Sequence, residues 1–127
     1  MRRTVSSLVI VLVIGLIGAP AWAKRYDHIR LPESIELGER MKLKVYDCQS
    51  GLGYEARVRV RIEDEDGNRV LTRNVDADDD GTTKVKIRIG DTKFAPGVYT
   101  ITVWCIHRFD GGGTGTWFSE TVEFTVV

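Results

Sequence analysis

Between Tyr54 and Glu63 the chain alternates strictly: Tyr54, Ala56, Val58, Val60 and Ile62 fall on one side, Glu55, Arg57, Arg59, Arg61 and Glu63 on the other. A period of two is the mark of a strand with one face buried and one face wet. The same pattern recurs along the chain. Met41, Leu43 and Val45 alternate with Lys42 and Lys44, and Val85, Ile87 and Ile89 alternate with Lys84, Lys86 and Arg88. Tyr99, Ile101, Val103 and Cys105 share a face, as do Val122, Phe124 and Val126. Earlier, Ile29-Arg30-Leu31 and Ile35-Glu36-Leu37 read as an edge broken at Pro32, which has no N–H to give a ladder. Arg69 to Val75 reads as a weaker strand.

Turn signals separate these segments. Asp66-Gly67-Asn68, the acidic run ending at Gly81, Pro96-Gly97 and the glycines after Asp110 supply residues that tolerate sharp backbone reversals. No stretch after residue 23 holds a helical period. Short strands at such regular spacing predict an all-β protein, an antiparallel β-sandwich of about seven strands.

The first 23 residues differ in kind. Arg2 and Arg3 precede an apolar run over residues 8–19, then Pro20 and the small-x-small triplet Ala21-Trp22-Ala23. That is the order of a secretory signal peptide, and it predicts cleavage after Ala23. The run is too short to span a bilayer, which needs about 20 apolar residues, so no membrane span is expected in the mature form. No cysteine follows the cleavage point to carry a lipid. The domain expected is residues 24–127, in the periplasm or outside the cell. Loss of Arg2 and Arg3 leaves 16 of the 18 basic side chains against 18 acidic ones. A near-neutral domain does not suit bulk nucleic-acid binding.

The stretch Pro96-Gly97-Val98-Tyr99-Thr100-Ile101-Thr102-Val103 resembles the penultimate strand of bacterial immunoglobulin-like and fibronectin type III-like domains. The segment before it, with Val58-Arg59-Val60-Arg61-Ile62, Asp66-Gly67-Asn68-Arg69-Val70 and Asp80-Gly81, is most similar to macroglobulin-type domains. The tryptophan of antibody domains is absent from the third strand, where Ala56 or Val58 stands instead. The resemblance implies an immunoglobulin-like order of strands A to G, with B and F in opposite sheets and parallel in direction. In that order Cys48 and Cys105 fall near the same apex, and a disulfide between them staples the sheets. Cys48 is out of phase with Met41, Leu43 and Val45, so either it lies past the end of its strand or a bulge turns it. Redox or metal chemistry at this pair needs a close Cys-x-x-Cys or more histidines, and only His28 and His107 exist.

Four groups of residues stand out as candidate chemistry. Asp76, Asp78, Asp80 and Gly81 match half of a calcium loop, but its twelfth position, normally a bidentate Glu, is Ile87; an acidic hairpin turn is expected, with no metal and no cofactor. Lys42, Lys44, Lys84, Lys86 and Arg88 should share one sheet face if strands B and E pair, a surface for an anionic polymer or an acidic protein. Arg57, Arg59 and Arg61 line the other sheet, with Glu120 and Glu123 expected as partners. Finally, His107, Arg108, Phe109 and Trp117 surround a glycine-rich loop over residues 110–115, and exposed aromatics beside arginine are common anchors of a partner surface. No nucleophile is placed beside His107 and Asp110, so no enzyme is expected. The reading is a non-catalytic exported module that recognises a protein or an anionic surface polymer. The alternative is a structural or inhibitor-like envelope domain without a small-molecule ligand.

Overall fold

A computed structural model describes residues 23–127; the expected signal segment and cleavage motif lie outside the described residues, except Ala23. The chain forms strands β1 (Ala23–Arg25), β2 (Ile29–Pro32), β3 (Ser34–Ile35), β4 (Arg40–Tyr46), β5 (Tyr54–Glu63), β6 (Arg69–Asp76), β7 (Thr82–Arg88), β8 (Gly97–Phe109) and β9 (Thr114–Val126). They make two sheets, one of five strands ordered β3-β9-β8-β5-β6 and one of four ordered β1-β2-β4-β7. Every pairing is antiparallel except β3 with β9. This is an immunoglobulin-like β-sandwich, all-β as the alternation requires.

The inner faces supply the core. Met41, Leu43, Val45, Val58, Val60, Ile62, Ile87, Ile89, Ile101 and Val103 are all fully buried. Each side chain of this size removed from water contributes about 1.5–3 kcal/mol, which is what holds the two sheets face to face. At one end, Tyr99 donates its hydroxyl proton to Ala95 O at 2.8 Å and accepts from Ala95 N at 2.9 Å. This tyrosine corner ties the start of β8 to the connection before it, a device of immunoglobulin-like Greek keys.

Two features depart from the sequence expectation, and a third was left open by it. The broken edge is a change of sheet. Before Pro32 the chain pairs with β4, and after it Thr125 N and Val127 N donate to Glu33 O and Ile35 O, both at 2.9 Å. Proline, lacking an N–H, sits where one ladder ends and the other begins. Strand β1 was not expected at all; it adds to β2 and turns that strand from an edge into an interior one. Strand β6 pairs with β5 in the five-stranded sheet, not with β7. The tight turn over residues 64–68 explains this, because Asp64 Oδ1 accepts from Asp66 N and Asn68 N and folds the chain straight back.

Candidate functional site

The apex is built around the disulfide. Cys48 and Cys105 are bonded, with Cα atoms 5.6 Å apart, and both are fully buried. Asp47 resolves the phase problem: its φ of 67° inserts one left-handed residue after β4, and Cys48 then faces inward like Val45. Asp47 N donates to Gly81 O at 2.9 Å, so the same kink docks the β6–β7 connection. The segments over residues 49–53, 77–81 and 110–113 do meet at this end. Asp110 N donates to Gly53 O at 3.0 Å and Ala77 N to Ala56 O at 3.2 Å.

Beyond the disulfide the five-stranded sheet continues after the four-stranded sheet has ended. The glycine-rich loop is a short hairpin turn, with β8 running to Phe109, β9 starting at Thr114 and only residues 110–113 turning. The inner phase of β8 carries on through His107 and Phe109, but no opposing strand covers them. They stack instead on their neighbours. The Tyr54 and His107 rings lie 4.2 Å apart and nearly parallel, and Trp117 covers the other side of His107 at 5.4 Å. Phe109 meets Tyr54 edge-on at 6.2 Å. A bulge between Thr116 and Phe118 puts Trp117 out of the regular register, which is how it reaches His107 while Phe118 opposes Cys105. Tyr54 depends on Gly51, where any Cβ would fall 2.5 Å from its hydroxyl.

The result is an aromatic shelf of Tyr54, His107, Phe109 and Trp117. His107 is buried within it, while Trp117 is 64% exposed and Phe109 45%. Leu52, on the adjoining loop, is wholly exposed. Arg108 does not belong to the shelf. It points to the opposite face of the hairpin, where its guanidinium lies 3.7 Å from Glu55. Tyr54 was missed as a site residue because its phase marks it as core; only the unequal lengths of the two sheets expose it.

The basic face exists, and it is larger than the sequence suggested. Lys42 stands opposite Lys86, Lys44 opposite Lys84 and Arg40 opposite Arg88. Arg30 is in register with Lys44, and Arg25 with Arg30, so Arg25, Arg30, Lys44 and Lys84 form one row across all four strands. Arg25, Arg30 and Arg40 were missed because a row across strands is a property of register. Among the described residues, none of the seven basic side chains from Arg30 to Arg88 on this face has a carboxylate within 4.0 Å. The Arg25 guanidinium lies 3.8 Å over the Tyr46 ring.

Other candidates are absorbed by structure. Arg57 pairs with Asp76 at 3.2 Å, Arg59 Nε donates to Asn74 Oδ1 at 3.0 Å, and Arg61 rests over Trp104. Glu120 is no partner for them. It shares the inner phase of Val122, and its carboxylate accepts from Asp27 N at 3.1 Å and His28 N at 2.8 Å. In the acidic turn, Asp80 Oδ1 accepts from Thr82 N and Asp78 N donates to Thr83 Oγ1, while Asp76 serves Arg57. Among the described residues no three acidic, histidine or cysteine side chains converge on a point. His28 stacks on Phe118 at 3.9 Å, with Nδ1 3.4 Å from Asp47.

No family model matches the chain, and no curated protein does. Among solved structures, the chain is similar to the CARDB domain of a Pyrococcus furiosus protein crystallised in complex with di-metal ions. The two superpose with a TM-score of 0.49 and 16% identity, over 78% of this chain and 84% of that one.

Proposed function

We propose that this chain is an exported, non-catalytic recognition module whose disulfide-pinned apex holds a protein partner. The observation that carries the reading is the aromatic shelf. Trp117 and Phe109 stand in water on the overhang of one sheet, above a base fixed by Cys48–Cys105. Large rings held still before association lose little freedom on binding and bring much apolar area, which makes them efficient anchors. Leu52 widens the same patch from the neighbouring loop.

Two experiments test this. Intact-mass measurement of protein expressed with its first 23 residues should find a chain beginning at Lys24 outside the cytoplasm; a full-length mass in the membrane fraction contradicts export. A pull-down from envelope extract should yield a protein that wild type retains and that Phe109→Ala with Trp117→Ala loses. Binding unchanged in that double variant removes the apex as the site.

A further inference from the structure

We propose a second binding surface on the outer face of the four-stranded sheet, for a linear acidic polysaccharide carrying one carboxylate on each sugar. Every outward position of these strands from Arg25 onward is basic, aromatic, proline or threonine; not one is Asp or Glu. Like charges placed directly opposite each other weaken a sheet, and here three such pairs lie side by side between β4 and β7. Eight of the 16 basic side chains after Ala23 stand on this face, and the nearest carboxylates, Glu36 and Glu39, lie beside Arg40 and Lys42 at one end of it. A surface of that kind attracts a polyanion.

The geometry selects among polyanions. Neighbouring strands lie about 4.8 Å apart, close to the advance per residue of an extended pyranose chain. An extended uronate chain turns successive sugars to different sides, so laid across the strands it brings carboxylates against some members of the row Arg25, Arg30, Lys44 and Lys84 and ring hydroxyls against the others. A membrane fits less well. Sheets twist by about 20–25° from strand to strand, so the row turns as it crosses the face and a flat bilayer cannot meet all of it, whereas a flexible chain follows it. The exposed large apolar side chains Leu52, Phe109, Trp117 and Val127 are not among the outward positions of these strands, so nothing here inserts into lipid or forms the apolar centre of a protein interface. Single-stranded nucleic acid needs open rings for its bases, and the one ring on this face, Tyr46, is covered by Arg25.

The test uses purified polygalacturonate as probe, with neutral dextran, anionic phospholipid vesicles and duplex DNA at the same salt concentration. Wild type should bind polygalacturonate, ignore dextran, and release the polymer as salt is raised. Lys44→Glu with Lys84→Glu, which reverses half of the row, should weaken binding by about tenfold or more. The same double variant should melt close to wild type, because it exchanges one like-charge pair for another while placing carboxylates beside Arg30, Lys42 and Lys86, and that separates lost binding from lost folding. Phe109→Ala with Trp117→Ala should leave polygalacturonate binding intact, so this surface and the apex stand or fall separately. No binding, equal binding by the charge-reversed variant, or tighter binding to vesicles or DNA than to polygalacturonate overturns the proposal.

Discussion

Removing one oxygen atom from Tyr99 tests how much the tyrosine corner contributes. The Tyr99→Phe variant keeps a ring that is 6% exposed and packed against Phe94 at 5.2 Å and Phe124 at 5.8 Å, so core packing is preserved. What goes is the pair of hydrogen bonds to Ala95, one accepted and one donated. Each is worth about 1 kcal/mol net, and stranding a partly buried N–H and C=O adds to the cost, for a loss of about 2–3 kcal/mol. For a domain near 100 residues each kcal/mol lowers the midpoint by about 4–8 °C, so thermal unfolding should shift by roughly 8–24 °C. Urea unfolding followed by tryptophan fluorescence gives the free energy directly, and its slope should not change, since the same surface is exposed on unfolding. Tyr54→Phe is the control, because the Tyr54 hydroxyl makes no hydrogen bond among the described residues. A loss below about 0.5 kcal/mol in Tyr99→Phe would falsify the argument, showing that water replaces the hydroxyl without penalty.

Replacing both cysteines by alanine should cost up to about 4 kcal/mol, because the bridge closes a loop of sequence separation 57 in the unfolded chain; thiol labelling of unreduced, denatured wild type should find no free thiol. Glu120→Ala strips the acceptor from Asp27 N and His28 N and should cost about 1–3 kcal/mol, with faster amide exchange at those two positions and little change at Tyr99. Calcium should leave the melting temperature where it is; an upward shift abolished by Asp78→Ala would show that another loop completes the half-motif.

The strands with one face buried against the opposite sheet and the other in water were the legible ones. In β4, β5, β7 and β8 burial enforces alternation, so Leu43, Val60, Ile87 and Val103 declare their faces in the sequence. The pairing of Cys48 with Cys105 followed from strand order, but the means did not, since a left-handed Asp47 leaves no pattern in the residue types around it. Strand β1 was missed because three residues are too few to show a period. The sheet that β6 joins is decided by the turn at Asp64, and the alternation of Arg69–Asp76 fits either sheet. Both candidate surfaces were glimpsed in part. The sequence supplied Phe109, Trp117 and five lysines and arginines, while Tyr54, Arg25, Arg30 and Arg40 join them only through register.

The parallel pairing of β3 with β9 also fixes how the domain carries mechanical load. Tension applied between residues preceding β2 and residues at the end of β9 pulls these two neighbours past one another along their length. The bonds from Thr125 N to Glu33 O, Val127 N to Ile35 O and Leu37 N to Val127 O then bear the force together in shear, and none can open before the others as in a zipper. Once they give, the disulfide keeps the chain between Cys48 and Cys105 from paying out. A domain strung between two anchored points would therefore yield late and lengthen little.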